Sequence, residues 1–167
     1  PESIREKGYR NLKPISPGFF GYSMLRNSVL SDWYNDLLGM CEAMDMGIEG
    51  LHTETGAGVL EAALRVDDAL AATDKAALFK IFTKVLAQKQ GWLATFMAKW
   101  SKDWPGCGGH MHMSLWKGGK PVFLDEKAPH RMSKTMRQFV GGQAALMPEL
   151  LGMVASNVNS YRRLIPG

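Results

Sequence analysis

IEGLHTETGAGVLEAALRV, residues 48–66, is the stretch from which we predict the fold of this chain. Apolar and polar side chains alternate on both sides of Gly56-Ala57-Gly58, and alternation around a glycine-rich centre is typical of a β-hairpin. Such a hairpin has one polar face and one apolar face, and the apolar face needs helices to cover it. The stretch therefore predicts an α+β fold, an antiparallel sheet built from hairpins with helices packed on one face.

The predicted hairpin brings two carboxylates together. If the two residues after Gly56 form the turn, Glu54 lies directly opposite Glu61, and His52 lies opposite Ala63. Two like charges about 5 Å apart destabilise a hairpin unless something such as a cation offsets their repulsion. The pair is therefore a candidate metal site. A register shifted by one residue would instead leave both carboxylates solvated on an exposed face.

The spacing of apolar residues predicts four helices and two further strand regions around this hairpin. The first helix has Ser31 as its N-cap and stops at Gly47. The other predicted elements are helices at 74–90, at 132–145 and from Pro148 to just before Asn157, a strand at 93–98, and a second hairpin of residues 110–116 and 122–124 around Gly118-Gly119. A chain of 167 residues fits one domain, and we expect residues 1–167 to form a single domain.

A second polar face is predicted on residues 110–115, HMHMSL. Strict alternation places His110, His112 and Ser114 on one face of the strand and the apolar residues on the other. The glycines just before it, at 106, 108 and 109, match neither a Walker loop nor a dinucleotide-binding fingerprint. Hard cations prefer oxygen ligands with an occasional nitrogen, so the paired carboxylates favour Mg²⁺ or Mn²⁺; a zinc hydrolase using His110 and His112 is an alternative.

Composition excludes several classes of protein. With 46% hydrophobic and 22% charged residues the chain is globular, and it has no apolar run of the length that crosses a membrane. The net charge of +4 comes from scattered basic residues without a basic and aromatic stripe, so we expect no nucleic-acid partner. Cys41 and Cys107 are too few for a disulfide framework, and we expect a cytoplasmic protein with reduced thiols.

Four segments resemble the glutamine synthetase family in their order and spacing. They are EGLHTE at 49–54 with GVLE at 58–61, ATFMAK at 94–99, GCGGHMHMSLW at 106–116 and NSYRRLIPG at 159–167. The segments span most of the chain. On this resemblance residues 1–167 are a fragment of the family's catalytic domain, and the full-length protein is expected to be a ring-shaped homo-oligomer.

The resemblance implies roles for eight residues. Those matched to metal ligands are Glu54 and Glu61 at one metal and His110 at the second. Those implied to lie near ATP are Glu49, His112 and Ser114, while Gly106 borders the amino-acid pocket and Arg163 matches the catalytic arginine that contacts the substrate carboxylate. The implied cofactors are two or more Mg²⁺ or Mn²⁺ ions per complete site, with ATP as co-substrate.

The implied reaction is an ATP-dependent ligation of a carboxylate to an amine. The γ-carboxylate of glutamate attacks the γ-phosphate of ATP, and ammonia or an amine then displaces phosphate from the acyl phosphate. Three positions depart from the family pattern: Pro105 replaces an Asn, Thr53 a second His, and Val59 a Gln. Because these departures alter the pocket walls, γ-glutamylation of a larger amine or polyamine is an alternative to ammonia. A non-catalytic structural relative is a further alternative.

The family also draws metal ligands from segments outside this sequence. Further metal carboxylates are expected on a strand before residue 1, and another carboxylate and several arginines beyond residue 167. A neighbouring subunit is expected to complete each site. We therefore expect this chain to be a truncated form with about half of a two-metal site, inactive by itself.

Overall fold

The computed structural model describes residues 2–164, so the last three residues of the segment at 159–167 lie outside the described part. Contacts within the chain divide it into two units, residues 1–107 and 108–167, which are described separately. Both units mix helices with a small antiparallel sheet, as the α+β prediction requires. In the described residues no helix is both long and apolar enough to cross a membrane.

The first unit contains the predicted hairpin and the helices around it. Its elements in chain order are α1 (Glu2–Glu6), α2 (Met24–Val29), α3 (Ser31–Ala43), β1 (Ile48–Thr53), β2 (Leu60–Leu64) and α4 (Ala69–Lys89). Ser23 caps α2, because its hydroxyl accepts a hydrogen bond from the Arg26 N–H. Ser31 is the first residue of α3 and not its cap, and α3 ends before Gly47 because Asp45 adopts a positive φ of 53°.

The register of the hairpin differs from the predicted one. His52 of β1 lies opposite Glu61 of β2, and Gly50 lies opposite Ala63, so the prediction that Glu54 faces Glu61 directly is wrong. The loop is longer than two residues: the Glu54 N–H donates to the Val59 carbonyl at 2.9 Å and closes a four-residue loop. The pairing moves by two residues, and because strand side chains alternate with period two, the predicted faces are retained.

Helices α3 and α4 cover the apolar face of the hairpin, as predicted. Four side chains of α3 are buried: Trp33, Tyr34, Leu37 and Cys41. They belong to two hydrophobic clusters, one around Trp33 and one around Leu37. Leu51 of β1 packs against both clusters, and so does Leu86 of α4. Each fully buried large apolar side chain contributes about 1.5–3 kcal/mol, so this packing holds β1 against α3 and leaves its polar face outward.

The prediction of a strand at 93–98 is wrong, since this segment is irregular. Its backbone groups bond within the loop: the Cys107 N–H donates to the Ala98 carbonyl at 2.8 Å, and the Met97 N–H donates to the Thr95 hydroxyl at 3.2 Å. A strand needs a ladder of such bonds to a neighbouring strand, and here the groups are used locally.

The second unit contains a short hairpin and a long helix. Its elements are β3 (Trp116–Lys117), β4 (Lys120–Pro121), a 3₁₀ turn (Pro129–Arg131), α5 (Lys134–Val154) and α6 (Val158–Tyr161). Gly118 and Gly119 form the predicted turn, and both have positive φ values, as a tight hairpin requires. The strand is shorter than predicted: in the described chain residues 110–115 form no ladder, and the Leu115 carbonyl accepts a hydrogen bond from the N–H of Val122, the residue after β4.

A single helix replaces the two predicted near the end of the chain. α5 continues through Pro148, although proline donates no hydrogen bond in a helix interior. Ser133 begins it, since its hydroxyl accepts a hydrogen bond from the Met136 N–H at 3.1 Å. The helix ends three residues before Asn157, which in turn caps the short α6 through the Ser160 N–H.

Candidate functional site

The hairpin of the first unit gathers three potential metal ligands. One ligand atom each from His52, Glu54 and Glu61 can be chosen so that all lie within 4.8 Å of one another. His52 and Glu61 are cross-strand partners, and Glu54 follows directly after β1. Glu54 is therefore diagonal to Glu61, a separation that long side chains can bridge. All three side chains are half-buried.

Glu54 is held in place by the loop that follows it. Its carboxylate accepts a hydrogen bond from the Thr55 N–H at 3.0 Å, while its own N–H is bonded to Val59. Further along, Gly58 has a positive φ of 70°, and its N–H donates to the Ser16 carbonyl at 3.0 Å. Ser16 is buried, so this contact anchors the loop to the N-terminal part of the unit.

The cluster favours an ionised Glu54. The Thr55 N–H is the largest influence lowering the pKa of Glu54; Tyr22, His52 and Glu61 lower it further, and partial burial opposes them. The His52 Nδ1 lies 3.7 Å from the Glu54 Oε1. At neutral pH the site therefore presents a carboxylate ready to bind a cation.

Tyr22 is a neighbour of the cluster that the sequence did not reveal. Its ring centroid lies 4.4 Å from that of His52, and hydrogen bonding to Glu54 raises the pKa of its hydroxyl. Tyr22 has a positive φ of 60°, and its N–H donates to the Thr53 carbonyl at 2.7 Å. This backbone conformation, unusual for a bulky residue, places the Tyr22 side chain against His52 and Glu54.

A second layer of hydrogen bonds fixes Thr53, the residue between His52 and Glu54. Thr53 is only 1% exposed. Its N–H donates to the Asn27 side-chain oxygen at 3.0 Å, and its hydroxyl donates to the Phe20 carbonyl at 3.1 Å. The Tyr34 hydroxyl donates to the same Asn27 oxygen at 3.1 Å. Asn27 thus ties α2, α3 and β1 together directly beneath the cluster.

Two more predicted site residues lie in the first unit. Glu49 is exposed in β1, at an irregularity in the pairing of β1 with β2. It is not one of the three clustered side chains. Gly106 is half-buried and follows Pro105, whose carbonyl oxygen would lie 3.2 Å from a Cβ added to Gly56. The segment that contains Gly106 therefore lies against the hairpin loop.

The remaining predicted residues belong to the second unit. His110, His112 and Ser114 are all exposed, and the Ser114 hydroxyl accepts a hydrogen bond from the Trp116 indole N–H at 3.0 Å. No strand is formed at these residues, so the predicted polar face of a strand is not present in the described chain. Arg163 is exposed too, and its guanidinium lies beside Gly108.

The donor set of the cluster suits a hard divalent cation. Two carboxylates and one imidazole offer mainly oxygen, as Mg²⁺ and Mn²⁺ prefer, and the half-buried position keeps the site accessible. The sequence predicted the two glutamates and placed His52 on their face, but opposite Ala63 and without a ligand role. The alternation of residues 52 and 54 along one strand was the signal that could have identified His52.

Comparison with known proteins gives consistent matches over most of the chain. The family model for the glutamine synthetase catalytic domain matches residues 8–167. Type-1 glutamine synthetase 2 of Dictyostelium discoideum is 49% identical over 99% of this chain, which covers 32% of that protein. Glutamate–isopropylamine ligase of Pseudomonas sp is 36% identical over 96% of this chain, which covers 35% of that protein.

This chain is also similar to solved structures. The GmaS/ADP complex has a TM-score of 0.83 and 28% identity, with coverage of 92% of this chain and 36% of its own. The Plasmodium falciparum glutamine synthetase has a TM-score of 0.77 and 27% identity, with coverage of 80% of this chain and 26% of its own. This chain spans about a third of the length of the curated relatives that it matches.

Proposed function

Because this chain belongs to the glutamine synthetase family of ligases, we propose that the protein containing it is an ATP-dependent carboxylate–amine ligase. In the proposed reaction the γ-carboxylate of glutamate attacks the γ-phosphate of ATP and releases ADP. Ammonia then attacks the acyl phosphate, and phosphate leaves as the amide forms. Residues 1–167 would supply part of one catalytic domain, and they are expected to be inactive alone.

The clustering of His52, Glu54 and Glu61 carries this proposal. These three side chains would hold one Mg²⁺ or Mn²⁺, and His110 would contribute to a second. When bound, the ions would neutralise phosphate oxygens and help to align donor with acceptor. Hydrogen bonding from Thr55 keeps Glu54 charged, so the ligand is available at neutral pH.

The other proposed roles concern the substrates. Arg163 would bind the substrate carboxylate, because a planar guanidinium can donate two parallel hydrogen bonds to it. Glu49, His112 and Ser114 would lie near ATP, and Gly106 would border the amino-acid pocket. These roles are supported by the match of the four sequence segments with the family. A cytoplasmic location and a ring-shaped homo-oligomer are proposed on the same ground.

A larger amine is the second candidate substrate, and Tyr22 favours it. Tyr22 is 68% exposed and lies beside the carboxylates of Glu54 and Glu61. An aromatic face next to negative charge attracts a substituted ammonium ion better than a carboxylate alone would. Pro105 and Val59 also depart from the usual family pattern, whereas Thr53 is buried beneath the cluster and does not line a pocket. One relative with this general activity is the glutamate–isopropylamine ligase described above.

A coupled assay of ADP release by the full-length protein tests both candidates. The protein should release ADP with ATP, glutamate and either ammonia or isopropylamine when Mg²⁺ or Mn²⁺ is present. The ratio of kcat/KM for the two amines decides between them. Glu54→Gln should reduce turnover at least about 100-fold if it removes a ligand of the catalytic ion, while the exposed Glu42→Gln on α3 serves as the matched control. A lack of turnover with every amine tested would favour a non-catalytic relative.

A further inference from the structure

In the second unit the Arg163 guanidinium lies directly over Gly108. A Cβ added to Gly108 would come within 2.6 Å of Arg163 Nη2 and 3.1 Å of Cζ. Non-bonded atoms do not approach that closely, so any other residue at 108 would displace the guanidinium. The next glycine differs: a Cβ added to Gly109 would have no atom within 4 Å.

We propose that Gly108 is a positioning residue for Arg163 and sets where its guanidinium meets a substrate carboxylate. The proposal rests on the proposed function, which assigns that carboxylate to Arg163. A guanidinium makes two parallel hydrogen bonds to a carboxylate only when its plane and position are correct. The missing side chain at 108 lets the guanidinium lie against the main chain, and this contact restricts an otherwise flexible side chain.

The guanidinium is available for an external carboxylate. Arg163 is exposed, and within the described part of its own unit no carboxylate forms an ion pair with it. Its backbone is fixed by α6, because the Arg163 N–H donates to the Ser160 carbonyl at 3.1 Å. Arg163 is thus held at both ends: its backbone by the bond to Ser160 and its guanidinium by the position beside Gly108.

A methyl group at position 108 should move Arg163 without unfolding the chain. The clashing atoms belong to the far end of a long side chain, which can swing away, and the backbone need not shift. Gly108 also has no positive φ, so alanine can adopt its backbone conformation without strain. Gly108→Ala therefore separates the position of the guanidinium from the stability of the fold, and Gly109→Ala is the matched control.

The test uses the full-length protein with Gly108→Ala, Gly109→Ala, Arg163→Ala and the double variant Gly108→Ala with Arg163→Ala. Turnover gives the KM for glutamate, and calorimetry gives its Kd without requiring catalysis. Gly108→Ala should raise both by about 10-fold while the KM for ATP stays unchanged, since a misplaced contact acts on the substrate that it touches. Gly109→Ala should leave all three values unchanged.

The double variant distinguishes positioning from a general effect. If Gly108 acts through Arg163, adding Gly108→Ala to Arg163→Ala should cause no further loss of glutamate binding. Equal effects of the two glycine substitutions, or a full additional loss in the double variant, would overturn the proposal. If the unsubstituted protein binds glutamate but turns over no amine, the proposed ligase activity is overturned. The Kd values of the variants for glutamate would then still decide whether Gly108 positions Arg163. A protein that binds no glutamate would overturn both.

Discussion

The Thr53 N–H donates a hydrogen bond of 3.0 Å to the side-chain oxygen of Asn27, a residue 26 positions earlier in the chain. Thr53 lies between His52 and Glu54, so this bond links α2 to two of the three potential metal ligands, one in β1 and one directly after it. Asn27 accepts a second hydrogen bond from Tyr34 of α3. The position of the candidate metal cluster therefore depends on Asn27, which is not one of its three potential ligands.

Asn27→Ala should destabilise the protein and loosen the cluster. It leaves the buried Thr53 N–H without a partner, which costs about 1–3 kcal/mol in the free energy of unfolding. Urea denaturation measures this change, and Mn²⁺ titration by calorimetry should show weaker binding. Asn27→Asp keeps an acceptor at this position and should lose less. Ser28→Ala, which removes an exposed hydroxyl one residue later, is the control; an equal loss there would show that Asn27 has no special role.

His52 is predicted to be a ligand of the same ion as Glu54 and Glu61. His52→Asn shortens the side chain and should raise the Kd for Mn²⁺ of the full-length protein at least about 10-fold, the scale found when groups that support a metal are lost. His130→Asn is the control, since His130 is an exposed histidine in the 3₁₀ turn, and asparagine tolerates its positive φ of 56°. Unchanged Mn²⁺ affinity in His52→Asn would exclude His52 from the ligand set.

The face of the hairpin could be predicted from the sequence, whereas its register could not. Strand side chains alternate strictly, so residues 52, 54 and 61 share a face in either of two registers that differ by two positions. The choice between those registers depends on the loop, which Ser16 holds through the Gly58 N–H. A contact between residues so distant in sequence leaves no local signal.

Tyr22 and residues 110–115 show two further features that could not be predicted from the sequence. Tyr22 reaches His52 because its φ is positive and its N–H bonds to Thr53, and neither feature follows from a pattern of apolar residues. Alternation at 110–115 predicted a strand, but a strand also needs hydrogen-bonding partners. Within the described second unit, the backbone of this segment accepts a backbone hydrogen bond only at Leu115. Helix α3 was predictable because its buried positions repeat at helical spacing. Helix α4, predicted at 74–90, begins earlier at Ala69, and its buried residues are Thr83 and Ala87.

Asp45→Gly should stabilise the protein. Asp45 lies just beyond the C-cap of α3 with a φ of 53°, a conformation that glycine adopts without steric cost. Its carboxylate lies 3.7 Å from the Lys75 amine, but such an exposed ion pair contributes little to stability, and a negative charge is unfavourable at the end of a helix. Asp45→Ala removes the same charge but keeps a side chain at a positive φ. The free energy of unfolding of Asp45→Gly should therefore be about 1 kcal/mol higher than that of Asp45→Ala. Chemical denaturation of the two variants measures the difference, and equal stabilities would mean that the φ of Asp45 carries no cost.

The ion pair between Asp67 and Lys75 should make stability depend on pH at both ends of the range. Their side chains are 2.6 Å apart, and the hydrogen bond to Lys75 lowers the pKa of Asp67 from its ordinary 3.8. The same bond raises the pKa of Lys75 from its ordinary 10.5. A lowered carboxyl pKa stabilises the fold above its ordinary value and loses that contribution as the pH falls through the lowered pKa. A raised amine pKa stabilises the fold below its ordinary value and loses that contribution as the pH rises through the raised pKa.

Asp67→Asn removes this ion pair, so it should lower the melting temperature most at intermediate pH. Its difference from the unsubstituted protein should shrink in acid below the ordinary pKa of Asp67, 3.8, and in base above that of Lys75, 10.5. The control is Asp74→Asn, which removes an exposed carboxylate from α4, the helix that contains Lys75, but leaves the Asp67–Lys75 pair in place. Thermal melts across the pH range measure both variants. A difference for Asp67→Asn that stays constant at every pH would mean that the ion pair does not contribute to stability, because a paired charge must lose its effect when either partner is neutral.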